Sequence, residues 1–81
     1  MSREAELREI LARQSRLAVD GIGLDDDLVQ KLGLDSLAAL RVLAAAEKRF
    51  RLRFPDERLG ELRTLRDVLD LIAAMEKEGQ R

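Results

Sequence analysis

"LGLDSLAALRVLAAAEKRF", residues 32–50, is the stretch on which the fold turns. From Ser36 onward it has strong helix propensity, and Asp35 just before it is a good N-cap. The spacing predicts a helix from Ser36 to about Phe50. Set at about 100° per residue, its side chains divide into two groups. Ala39, Val42, Leu43, Ala46 and Phe50 share one side, with the width and spacing of a core face. Ser36, Leu37, Leu40, Arg41, Ala44, Glu47 and Lys48 fall largely on the other, where bulky apolar residues mix with charges. Either Leu37 and Leu40 are buried by the preceding loop or the first helix, or they form a surface for a partner. The pattern alone leaves both open.

Working outward, "SREAELREILARQ" places Leu7, Ile10 and Leu11 at helical spacing and predicts a helix from about Arg3 to Gln14. No period persists from Ser15 to Asp35. Asp20, Gly21, Gly23 and Asp25 to Asp27 mark a long loop, within which Leu28, Val29 and Leu32 form a short turn packed inward. A loop that long in so small a domain is often functional. After the central helix, "RLRF" alternates like a strand but is short and alone, and reads as a connector. Pro55 and Asp56 begin "DERLGEL", a short helix limited by Gly60. "TLRDVLDLIAAMEKEG" opens on a capping box, Thr64 with Asp67, and carries a buried stripe of Leu65, Val68, Leu69, Ile72 and Met75, with Gly79 just past its end. The expectation is one all-α domain over residues 1–81, with three main helices, a short fourth and a long loop between the first two main helices.

The chain has 81 residues, 46% of them hydrophobic, which suits folding rather than disorder but leaves a single core only marginally sufficient. Phe50 and Phe54 are the only aromatics, so Leu, Ile, Val and Ala must fill the interior. No apolar run is long enough to span a bilayer, and "MSREAELREI" lacks the apolar region of a signal peptide, so a soluble, cytoplasmic protein is expected. Having no cysteine and no histidine, the chain lacks disulfides, the commonest general base, the best nucleophile and the usual zinc ligands. Ser–His and Cys–His catalysis is thereby excluded, and an autonomous enzyme is not expected.

The net charge of −1 hides an uneven distribution. Residues 20–35 hold Asp20, Asp25, Asp26, Asp27 and Asp35 against Lys31, whereas residues 36–54 hold Arg41, Lys48, Arg49, Arg51 and Arg53 against Glu47. Such asymmetry bears on partners more than on fold. A nucleic-acid role for the basic half is disfavoured by the overall charge, the Asp-rich loop and the lack of interleaved aromatics. The aspartate run does not fit an EF-hand, since the spacing from Asp20 is wrong and no glutamate closes it, so no metal site is expected. "GIG" at residues 21–23 lacks the third glycine and preceding strand of a dinucleotide site. A serine in the first turn of a helix, such as Ser36, is usually a local hydrogen-bonding partner; its functional alternative is a hydroxyl at a helix N-terminus, where backbone N–H groups and the dipole favour an attached phosphate.

Taken together, "LGLDSL", a helix ending in "EKRF" and then "FPDERL", at these spacings, resemble the acyl carrier proteins over nearly the whole chain. The resemblance implies a four-helix bundle that catalyses nothing. It implies that a phosphopantetheinyl transferase attaches 4′-phosphopantetheine from coenzyme A to Ser36, and that the arm's thiol carries an acyl or related group as a thioester. A chain without cysteine would thus take its only thiol from the cofactor. Asp35 would be the acid beside the modified serine, orienting metal and coenzyme A within the transferase. The helix from Ser36 would be the main partner-recognition element, which favours the exposed reading of Leu37, Leu40, Arg41, Ala44, Glu47 and Lys48. The bundle interior would hold an attached chain transiently, with Ala39, Ala46 and Ala73 or Ala74 leaving room or merely allowing close helix packing.

The departures from that family bear on partners. Carriers of fatty-acid synthesis usually stud this helix with acids that meet basic patches on partner enzymes; here the positions include Ala38, Arg41, Lys48 and Arg49. Charge complementarity governs encounter and partner choice, so the acyl-loading and acyl-transferring enzymes expected here have a surface less basic than usual. That implies a specialised rather than housekeeping carrier. A monomer is expected, since a carrier needs its surface free for exchange, with no nucleic acid among its partners and no stable membrane insertion. The alternative is a small helical interaction module that binds through the Leu37–Leu40 face without modification and tolerates Ser36→Ala.

Overall fold

The computed structural model describes residues 2–15, 19 and 21–79. Its element order is α1 (Arg3–Ser15), α2 (Leu28–Leu32), α3 (Ser36–Phe50), a 3₁₀ helix (Asp56–Glu61) and α4 (Leu65–Gly79). No strand occurs among the described residues. The fold is therefore an all-helical bundle, with one element more than the spacing predicts, because Leu28 to Leu32 form a five-residue helix inside the long loop. Asp20, counted above in that loop, lies outside the described residues.

Each main helix starts on a side-chain oxygen. Ser2 Oγ accepts the Ala5 N–H at 3.0 Å for α1, and Glu4 and Glu6 sit in the first turn, where the helix dipole favours acids. At α4 the predicted capping box is reciprocal: Thr64 Oγ1 accepts the Asp67 N–H at 3.0 Å, and Asp67 Oδ2 accepts the Thr64 N–H at 3.2 Å. α3 ends without a glycine: Arg51 takes the left-handed conformation at φ 57°, and the Arg51 and Leu52 N–H groups both return to the Glu47 carbonyl. That turn leads into residues 51–54, where Phe54 is buried and its N–H donates to Glu47 Oε2 at 2.7 Å.

Leu7, Leu11, Leu65 and Ile72 are the most deeply buried large side chains, and α1 packs against both α3 and α4. α3 contributes Val42, Leu43, Ala46 and Phe50, with Ala39 half-buried at the margin. In α4 the buried stripe is Leu65, Val68, Leu71 and Ile72. Leu69 and Met75, expected in that stripe, are half-buried, because the face turned to α1 is centred one step towards Leu71. Ala73 and Ala74 are exposed on the far side of α4, so they line no interior space and the expectation that one would is corrected.

Val19 and Ile22, between α1 and α2, are tied to α1. Both are buried, and Arg8 donates from Nη1 to their carbonyls, at 3.1 and 2.7 Å. These bonds satisfy backbone groups that burial would otherwise strand. Arg3 bridges α1 to α4 through Glu76 and lies over the Phe50 ring, 5.0 Å from its centroid.

Candidate functional site

Three residues separate α2 from α3. Gly33, at φ 65°, ends α2 in the left-handed conformation that a Cβ would strain, and Asp35, at φ −85° and ψ 175°, brings the chain extended into α3. Asp35 Oδ1 then accepts the Ala38 N–H at 2.7 Å, and its carbonyl accepts the Ala39 N–H at 3.0 Å. Ser36 is thereby the first helical residue, exposed, with a hydroxyl that makes no hydrogen bond to any described residue.

The structure resolves the ambiguity over the leucines beside it. Leu37 is 57% and Leu40 50% exposed. Arg41, Ala44 and Lys48 are exposed on the same face. Glu47 differs from them: it is half-buried and its carboxylate is engaged by the Phe54 N–H. Val29, which the spacing turns inward, is instead 42% exposed and extends the apolar surface across α2. Five residues are too few for a period to separate its faces, so only the bounding signals Asp27 and Gly33 are legible there.

Ser36 stands at the rim of a solvent-open groove between the α2–α3 corner and the 3₁₀ helix, walled by Val29, Leu34, Leu40, Leu59 and Leu62. Behind that wall lies a narrower apolar cleft reaching Leu7, Leu11 and Val68 in the core. Leu34, Ala39, Leu43 and Leu62 border both spaces. The cleft is bounded chiefly by leucines, with Ala39 the one alanine of those expected there.

The neighbouring aspartates are committed to structure. Asp25 receives Arg66 on both oxygens, at 2.7 and 3.2 Å, and this bond holds its carboxyl below the usual carboxylate range. Asp26 accepts the Gly23 N–H at 2.8 Å. Asp27 caps α2 through the Val29 and Gln30 N–H groups and pairs with Arg63 at 2.7 Å. The Gln30 amide and then Arg63 hold its carboxyl low as well. Among the described residues no group of three or more Asp, Glu, His or Cys is arranged to hold a metal ion, and no helix is long and apolar enough to cross a membrane.

Comparison with known proteins bears on what such a serine is for. The family model described as the phosphopantetheine attachment site matches residues 5–72. An acyl carrier protein of Streptomyces coelicolor is 42% identical over 64 residues, covering 78% of this chain and 70% of that protein. Acyl carrier proteins of Coprothermobacter proteolyticus and of an Arthrobacter species are 36% identical over 67 residues and 33% over 69. These alignments cover 83% and 85% of this chain, and 82% and 85% of the two relatives. The chain belongs to the acyl carrier protein family, whose members catalyse nothing themselves and hold acyl groups on a covalently attached 4′-phosphopantetheine arm.

Proposed function

We propose that Ser36 bears the arm and that α3, with the loop before it, is the surface through which partner enzymes recognise this carrier. The observation that carries the reading is the position of the Ser36 hydroxyl: exposed, unbonded, first in α3 and beside an apolar groove. The environment fits a phosphodiester. The first N–H groups of a helix have no intrahelical acceptor, and the dipole there favours negative charge. The opposing charge of Asp35 is partly absorbed, since its Oδ1 is bound to the Ala38 N–H.

Attachment requires Ser36 Oγ to form a bond to the phosphorus of coenzyme A nearer the pantetheine, while the pyrophosphate linkage breaks and adenosine 3′,5′-bisphosphate leaves. The hydroxyl proton must pass to a base on the transferase, because Asp35 is held as a cap and the chain has no histidine. Asp35 Oδ2 remains free to help orient the divalent cation and coenzyme A. Once bound, the arm supplies the thiol on which an acyl group is held as a thioester. Tethering then delivers the cargo at high effective concentration to successive enzymes. The groove walled by Leu40, Leu59 and Leu62 offers cover for an apolar cargo near the attachment point.

Recognition falls to Leu37, Leu40, Arg41, Ala44, Glu47 and Lys48. Their charge supports a specialised carrier whose loading and transfer enzymes are less basic than those of fatty-acid synthesis; the reading includes a monomer that works in the cytoplasm. The test is intact-protein mass after incubation with coenzyme A, magnesium and a promiscuous phosphopantetheinyl transferase. One phosphopantetheine is gained by the wild type and none by Ser36→Ala. No gain on the wild type, with a control carrier modified in parallel, removes the proposal and leaves the Leu37–Leu40 face as a binding surface in its own right.

A further inference from the structure

We infer that the cationic stretch of α3 from Arg41 to Lys48 and the turn after the helix dock acidic surfaces of partner proteins, so that the charge polarity of recognition runs from a cationic carrier to an anionic enzyme. This rests on α3 being the recognition surface, as proposed above, and adds the chemistry of what it meets.

Leu37, Arg41, Ala44 and Lys48 recur at helical spacing and form one stripe, opposite the buried Val42, Leu43, Ala46 and Phe50. Along and below that stripe the cations are unspent. Arg3, Arg8, Arg13, Arg49, Arg58, Arg63 and Arg66 each pair with a carboxylate. Arg41, Lys48, Arg51 and Arg53 are exposed, and their side chains have no such partner among the described residues. Glu47, the one acid within residues 36–54, has its carboxylate taken by the Phe54 N–H. Asp35 lies at the opposite end of the helix and is held on Ala38. The face therefore grades from two exposed leucines near Ser36 to an end where Arg41, Lys48, Arg51 and Arg53 outnumber the single acid Glu47.

An apolar pair beside free cations fits a protein surface with an apolar recess and a rim of Asp and Glu. It fits nucleic acid poorly, since both aromatics are buried and the aspartate-bearing loop flanks the site. It fits a membrane surface poorly, since the exposed apolar part of α3 is two leucines at one end.

The test uses two phosphopantetheinyl transferases, one with an acidic and one with a basic surface beside its active site, and follows modification of Ser36 by intact mass. Arg41→Glu with Lys48→Glu is expected to lower kcat/KM about tenfold with the acidic enzyme and to raise it with the basic one. The neutral pair Arg41→Gln with Lys48→Gln falls between. Arg58→Glu with Lys77→Glu, which makes the same change in net charge off this face, moves both rates by less than about twofold. Raising salt from about 0.1 M to about 1 M shortens the screening length from ~10 Å to ~3 Å and should collapse the difference. If both enzymes treat the α3 reversal as they treat the control reversal, docking to an acidic surface is wrong while attachment at Ser36 stands. If neither modifies the wild type, attachment itself is what fails. Binding to duplex DNA or to phosphatidylserine vesicles that the α3 reversal abolishes, with the transferase ratio unmoved, also overturns the inference. The replaced side chains are exposed, and only Arg58 among them gives up an ion pair, a surface one with Glu61, so the melting curve verifies that each variant remains folded.

Discussion

Asp35 is expected to serve two functions that substitution can separate. Its carboxylate caps α3, accepting the Ala38 N–H at 2.7 Å, and it places a negative charge at the positive end of a 15-residue helix. Losing the cap to Ala costs about 1 kcal/mol, and losing the charge a further ~0.5 kcal/mol at an exposed site. For a domain of this size, each kcal/mol lowers the melting temperature by roughly 4–8 °C. Asp35→Ala should therefore melt about 6–12 °C below the wild type. Asp35→Asn keeps a side-chain oxygen in the same place and gives up only the charge, so its loss should be about 2–4 °C. Thermal unfolding followed by circular dichroism at constant pH and salt measures both. Modification by a transferase, measured on the same proteins well below their melting points, then isolates the chemical role. If the carboxylate orients the metal and coenzyme A, Asp35→Asn is modified much more slowly although it is nearly as stable as the wild type. Equal melting losses for the two variants would refute the capping argument. An unimpaired modification rate for Asp35→Asn would refute the chemical one.

Leu11 is fully buried, so Leu11→Ala should destabilise by about 3 kcal/mol, seen as a lower urea midpoint at unchanged m-value; a loss under ~1 kcal/mol would mean the core is not closely packed there. Arg51→Gly relieves a left-handed backbone at φ 57° that costs a side-chain-bearing residue ~1 kcal/mol. Glycine's greater freedom in the unfolded chain takes back part of that, so a net gain of about 0.5 kcal/mol, or ~2–4 °C, is expected, and a lower melting temperature would contradict it. Asp25 and Asp27 are held below the usual carboxylate range in the folded state, Asp25 by Arg66 and Asp27 by the Gln30 amide and Arg63. Their stabilisation is therefore present above the unfolded value near pH 4 and lost as pH falls through the folded values. The melting temperature should drop below about pH 4, less steeply in Asp25→Asn with Asp27→Asn; an equally steep drop would show that other carboxyls carry the acid limb.

What the sequence makes legible follows from how local each signal is. α3 spans Ser36–Phe50 as its propensity and cap predict, and the Thr64–Asp67 box opens α4 as written, because each depends on residues within one turn. The end of α3 is legible in the change of pattern at Phe50, but its cap is not, since Arg51 adopts a conformation usually marked by glycine. α2 is obscured by its length, and the anchoring of the loop depends on Arg8 reaching carbonyls 11 and 14 residues away. The stripe on α4 shifts towards Leu71 because its direction is set by where α1 lies, which no period within α4 encodes. At the site, the exposure of Ser36 and of the leucines beside it depends on which elements the bundle brings over α3. The helical wheel separates the two faces of α3, but only the tertiary arrangement leaves one of them uncovered.

That separation has a consequence for how this carrier can vary. Val42, Leu43, Ala46 and Phe50 hold the bundle, while Leu37, Arg41, Ala44 and Lys48 are exposed and their side chains make no hydrogen bond or ion pair with a described residue, so the face of α3 proposed for recognition can change charge without moving the core. Glu47 breaks the separation. Its position on the wheel assigns it to partners, yet its carboxylate holds the backbone of Phe54, which is 2% exposed, and thus the return of the chain after α3. A glutamate at this position answers to packing as well as to recognition. Its presence on an otherwise cationic surface is therefore explained by the connector it anchors, and on the proposed reading Arg41, Lys48, Arg51 and Arg53 supply the positive charge offered to a partner.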